Sequence, residues 1–303
     1  MTMLMAAVLL IVAHPIAAQI LPWEITLAEI EAGRIRHLVQ RLNKQNVLYH
    51  LRVGDVSKED VIKTAGAIDE LLRDLEEGVP SSSIPSPWTD EIEAKVKAVD
   101  AAWGPLRSIA IASPYEHLRV AHQFLPRGNR RGDPLLLKYF DGLCEDLVKA
   151  TNKLIVAYDA ECVKSGLGTC ETARTSGYAA MLIERAAKEA VYLVANIDPK
   201  DNRKRLEATI DAYREVQREN NDSDFFKEAL NPERGISAKA AGELLVALRK
   251  DWEVIQEQFT ILAAGDEQNF DLRVLLLTQK RMVEKIERLA AALVRYANMT
   301  YGS

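Results

Sequence analysis

An all-α fold of two antiparallel four-helix bundles joined end to end is what this chain predicts, and three observations carry it. Ala, Leu, Glu, Lys and Arg dominate its 303 residues, a helix-forming composition. Apolar residues recur at helical spacing nearly throughout, interrupted by Gly, Pro and Ser clusters of the kind that end helices. Finally, residues 33–44 and 177–188 resemble each other. Gly33 aligns with Gly177, Leu38 with Leu182, Arg41 with Arg185 and Lys44 with Lys188, all 144 positions apart. A single offset of about half the chain points to duplication of a whole unit, not to a short solenoid repeat.

Taken in order, the chain opens with Met3 to Val12, almost wholly apolar, then His14, Pro15, Ala17 and Ala18. Residues 1–18 read as a signal peptide cleaved near Ala18, with an uncleaved anchor as the alternative. The run is short for a membrane span, and no later segment is apolar enough to cross a bilayer. The mature chain is therefore expected to be soluble and exported, periplasmic or secreted from a bacterium. The first unit, 19–163, predicts helices near 25–52, 58–77, 89–112 and 134–162. Gly54-Asp55, the Gly78–Ser83 cluster and the Pro126–Pro134 stretch separate them. Residues 114–125 predict a further helical turn or two. The second unit, 170–303, predicts helices near 170–196, 199–220, 236–265 and 268–300, with Pro199 in a first turn. A short helix is expected around Phe225–Leu230. The internal match continues with Ile68-Asp69 against Ile210-Asp211, Trp103 against Trp252, and Tyr158 against Tyr296. Its offsets drift from 142 to 149 to 138, as loop insertions between equivalent helices would produce. No strand-like alternation of any length appears.

The net charge of −5 excludes bulk attraction to nucleic acid or to an anionic membrane surface. There is no Gly-rich phosphate loop, no His-Glu-x-x-His, no Cys pairs at zinc spacing and no Gly-x-Ser-x-Gly elbow. His117 and His122, five apart, share no helix face well, so no metal site is expected. No carboxylate pair stands out as an acid/base couple, and no enzyme or cofactor is expected. The basic loop residues Arg127, Arg130 and Arg131 read as solvated charge or as a contact for an acidic partner. Of three cysteines, Cys162 and Cys170 flank a short connection and are expected to form a disulfide at the junction of the units. Cys144 is left as a buried thiol, and three unrelated buried thiols are the alternative.

The first motif carries the chemistry. At about 100° per residue, Ile35, Leu38, Val39 and Leu42 form the core stripe. Arg34, His37, Arg41 and Lys44 fall on one flank, and Arg36, Gln40 and Asn43 on the other. Like charges at this spacing repel by a few tenths of a kcal/mol per pair, so the face is solvated, paired with acids, or occupied by an anion. Guanidinium forks suit small planar oxyanions such as nitrate, and Gln40 adds neutral donors. In the second copy Tyr178, Ala180, Met181 and Ala187 replace Arg34, Arg36, His37 and Asn43. Small and apolar residues on that face predict burial against another helix, with the first copy as candidate, or drift after duplication.

These residues resemble a known family. Ala32-Gly33-Arg34-Ile35-Arg36-His37-Leu38-Val39-Gln40-Arg41, with Lys44 after it, is similar to the PilJ-type sensor signature Ala-Gly-Arg-x-Arg-Met-x-Ser-Gln-Arg-x-x-Lys. That signature is related to the motif of bacterial nitrate/nitrite sensor kinases. Ser176-Gly177, Met181-Leu182, Arg185 and Ala187-Lys188-Glu189 form a partial second match, so the resemblance spans two tandem domains. It implies periplasmic four-helix bundles in which motif arginines hold nitrate where two such helices meet across a dimer. Carried over, Arg34 and Arg36 are the anion ligands, with Gln40 supporting and Gly33 allowing close backbone approach. His37 and Val39 depart from the family's Met and Ser. Tyr178, Ala180 and Glu184 replace both arginines and the glutamine in the second copy, so the site implied belongs to the first.

The expected function is a sensory or solute-binding protein for a small oxyanion, nitrate or nitrite, through Gly33, Arg34, Arg36, His37, Gln40 and Arg41. The alternative is a helical interaction module that docks on a membrane receptor or on a pilus-associated or chemosensory assembly and binds no small molecule. A third reading is a homodimer in which two first-copy helices meet.

Overall fold

The computed structural model describes residues 20–111, 134–164, 170–222, 227, 231, 233, 236–266 and 269–301. The expected leader, the expected turn at 114–125, the basic residues Arg127, Arg130 and Arg131, His117, His122, the connection beyond residue 164 and nearly all of the helix expected around Phe225–Leu230 lie outside them, as does the Cys170 side chain.

Among the described residues the fold is all-α, with eight helices: α1 (Pro22–Leu51), α2 (Lys58–Glu77), α3 (Asp90–Ile111), α4 (Pro134–Lys164), α5 (Cys170–Val194), α6 (Pro199–Asp222), α7 (Ile236–Ala263) and α8 (Leu272–Tyr301). Local chemistry sets their ends. Pro22 occupies the first turn of α1, and the Glu24 carboxylate accepts from Leu21 N–H at 2.7 Å. Ser57 and Asp60 cap α2 reciprocally: Ser57 Oγ accepts from Asp60 N–H, and the Asp60 carboxylate accepts from Ser57 N–H. Gly78 ends α2 at φ 76°, where an added Cβ would sit 2.5 Å from Ser86 N, so only glycine fits. Asp271 caps α8 by accepting from the backbones of Arg273 and Val274.

Two four-helix rings result. α1 lies beside α2 and α4, and α3 closes that ring; α5 lies beside α6 and α8, with α7 against α8 and only loosely against α6. Each ring encloses its own apolar core. The first is filled by residues such as Ile35, Val39, Leu42, Ile68, Trp103, Phe140 and Leu147, and the second by Ile183, Leu206, Trp252, Phe259 and Ile286.

The rings are not joined end to end. They lie side by side along α1 and α5, the most extensively packed helix pair among the described residues. The two helices run parallel: Gly33 meets Gly177, Arg41 meets Glu184 and Asn43 meets Tyr192. A small third cluster, Val47, Leu48, Leu137, Val191, Tyr192 and Ile197, closes one end of this seam. The physical reason is the paired glycines. With no Cβ on either helix, the backbones touch, and an added Cβ at Gly177 would lie 3.2 Å from Gly33 Cα. The two motif segments therefore lie alongside each other in register. No helix among the described residues is long and apolar enough to cross a membrane.

Candidate functional site

The seam buries charge on both flanks of α1. On the α8 side, Glu184 is 1 % exposed and accepts from Arg41 Nε at 2.8 Å and Lys44 Nζ at 2.7 Å. Lys44 also donates to the amide oxygen of Gln279. Burial alone would raise the Glu184 carboxyl, but Lys44 and Arg41 outweigh it and bring the group down to about 2. His37 is fully enclosed, with Nε2 3.1 Å from the Glu287 carboxylate. Burial lowers its pKa and Glu287 only partly opposes this, so the ring is neutral at neutral pH.

Opposite, Asp141 of α4 accepts from Lys188 at 2.9 Å, Arg205 at 3.0 Å and Asn43 at 2.7 Å. The single Tyr192 hydroxyl proton is shared between Asn43 Oδ1 at 2.9 Å and the Leu137 carbonyl at 3.1 Å. Glu145 accepts from Lys188 and from Gln40. Both carboxyls are held below the usual range: burial pushes them up, and Lys188, aided by Arg205 or Arg185, more than reverses it. Buried ions persist when paired and hydrogen-bonded in this way.

Arg36 breaks the pattern. It is 4 % exposed. Nη1 donates to Asn152 Oδ1 of α4 at 3.1 Å, and the guanidinium carbon sits 5.7 Å from the Tyr178 ring centroid. Nε and Nη2 are buried with no hydrogen-bond acceptor. These two nitrogens form one edge of the guanidinium, the side-on fork that grips a planar oxyanion through two parallel N–H bonds. Gly177 clears this edge, since a Cβ there would be 3.3 Å from Nη2. Burial pulls the Arg36 pKa down to about 10, with Glu29 the main opposing charge, so the group stays cationic at neutral pH.

The six expected ligand residues thus divide. Arg36 and Gly33 meet at the seam. Arg34 is exposed and paired with Glu31 at 2.7 Å, well apart from Arg36 in role. Gln40 is engaged with Glu145, Arg41 with Glu184, and His37 with Glu287. Glu184, which stands in the second copy where the first has Gln40, is neutralised by two cations. Asn152, Tyr178 and Gly177 also surround Arg36, with Glu29 the main carboxylate acting on it. Asn152 carries no sequence signal, being one amide on a long amphipathic helix. Among the described residues no group of His, Cys, Asp and Glu is arranged to hold a metal ion. Cys144 is a buried free thiol, and Cys162 is buried.

Fold and site together define an all-helical bundle protein with a buried, half-satisfied guanidinium between two parallel helices. Residues 31–122, under a third of the chain, match the model of the PilJ family, described as the type IV pili methyl-accepting chemotaxis transducer N-terminal domain, and this stretch is similar to that family. It contains all of the first motif and ends before α4, which supplies Asn152. No curated protein and no solved structure matches the chain.

Proposed function

We propose that the protein is an exported sensory module that binds a small planar oxyanion, nitrate or nitrite, on the free edge of Arg36. The observation that carries this is the pair of buried Arg36 donors, Nε and Nη2, left without an acceptor. A buried unsatisfied donor costs about 1–3 kcal/mol, and native structures keep such groups for a reason. An anion would satisfy both donors at once. The second half of the chain supplies the partner helix, so the site belongs to a single chain with two internally related halves, and its output passes to a chemosensory assembly. The PilJ match supports the sensory part of this reading. The apolar leader supports export, which N-terminal sequencing of the secreted form would check. The Cys162–Cys170 bridge belongs to the same proposal, and non-reducing peptide mapping should join the two peptides.

Calorimetric titration with nitrate and with nitrite tests the site. One anion per chain is expected. Arg36→Lys keeps the charge and loses the planar fork, so affinity should fall by at least about tenfold, the worth of one charge-assisted bond. Arg34→Ala should bind as wild type does. Silence of the wild type at millimolar anion, or equal loss in Arg34→Ala, would overturn the assignment.

A further inference from the structure

The second ring contains a cavity of about 410 Å³ between α5, α6, α7 and α8. Its origin is visible by comparison with the first ring. There, Asp69 of α2 accepts from the Trp103 indole N–H and from Arg107, both on α3, and ties the two helices together. In the second ring Trp252 occupies the corresponding place, but Asp211 pairs along its own helix with Arg214. Trp252 instead lies against Tyr213 with ring centroids 4.3 Å apart. With no carboxylate clasp, α6 and α7 stand apart and a hollow opens between them.

The hollow has an apolar floor that includes Tyr213, Leu248 and Trp252, and a polar rim that includes Gln217, Asn221 and Arg249. Arg249 Nη2 donates to Asn221 Oδ1 at 2.6 Å, which fixes the guanidinium at the rim. Lys227 joins it there, so cations outnumber the one acid, Glu253. Ligand pockets of a few hundred Å³ with aromatic walls and a few convergent polar groups take small molecules whose shape and charge mirror that division. We propose that this cavity is a second ligand site, independent of Arg36, for a small aromatic carboxylate. The ring would stack on Trp252 and Tyr213, and the carboxylate would meet Arg249.

Calorimetry with 2-naphthoate tests it on the full chain. One-to-one binding is expected in wild type and unchanged in Arg36→Lys. Ala179→Leu, which adds bulk to the cavity wall from α5, should abolish binding while its melting curve stays cooperative. Leu248→Trp should do the same by filling from α7, and serves if the first variant fails to fold. Arg249→Gln should weaken binding about tenfold, the worth of one charge-assisted hydrogen bond, and the cation 2-naphthylmethylamine should bind more weakly than the acid. No heat with 2-naphthoate in wild type, or binding that survives both cavity-filling changes, would overturn the proposal.

Discussion

At the scale of single residues, the seam pairs its buried ions, and Arg36 is satisfied on one side only, through Asn152. Glu184 is held by Lys44 and Arg41 in a fully enclosed setting. Glu184→Ala removes the anion and leaves two cations facing each other, so a loss of about 3–5 kcal/mol in urea unfolding is expected. The same group sets a pH dependence. Its folded pKa lies below the unfolded carboxylate value, so its stabilisation is complete above about pH 4.5 and is lost as pH falls toward 2. His37 acts in the same sense at higher pH. Its folded pKa lies below 6.5, so the unfolded chain takes up the proton first and stability declines as pH drops through that range. Urea midpoints followed by circular dichroism should therefore fall as pH drops below about 6.5, and His37→Gln should flatten the upper part of that decline. The sequence placed Arg41 and Lys44 on an anion-seeking flank. Their anion is a residue of this chain 143 and 140 positions away, a distance no local pattern can report.

At the scale of helices, the glycine contact decides the geometry. Gly33 and Gly177 permit α1 and α5 to touch along their backbones. Gly177→Val is expected to cost about 1–3 kcal/mol through overpacking, and to weaken nitrate binding by pressing on Arg36. Gly66 is an exposed helical glycine with nothing within 4 Å of an added Cβ, so Gly66→Ala should gain up to about 1 kcal/mol from helix propensity. Urea midpoints for both variants check this. Helix positions were largely legible because Ser57, Gly78, Pro199 and the apolar spacing act locally: 58–77 was expected and Lys58–Glu77 is found. The start of the last helix was placed four residues early, because Asp271, the residue that caps it, reads in sequence as one more polar helical position. The alignment of the two motifs was legible too. Their direct contact was open, since small residues on α5 said only that the face was covered, not by what.

At the scale of the whole molecule, the two helices that carry the motifs meet within one chain, along the parallel α1–α5 seam. α5 covers the face of α1 that carries Gly33 and Arg36. Light scattering should therefore give the same mass with and without nitrate. A ligand shared between two chains would instead raise the mass on binding. The arrangement of the two rings was the least legible level. It depends on which buried polar groups complement each other across half the sequence, as Asp141 does with Lys188 and Arg205. The most direct measurement is the arginine Nε–H region of a nitrogen-15 NMR spectrum, with Arg36→Lys assigning the resonance. On addition of sodium nitrate, but not of sodium chloride at equal ionic strength, the Arg36 Nε–H signal should move and become protected from exchange while the Arg41 signal stays in place. An Arg36 resonance indifferent to nitrate would contradict the oxyanion site.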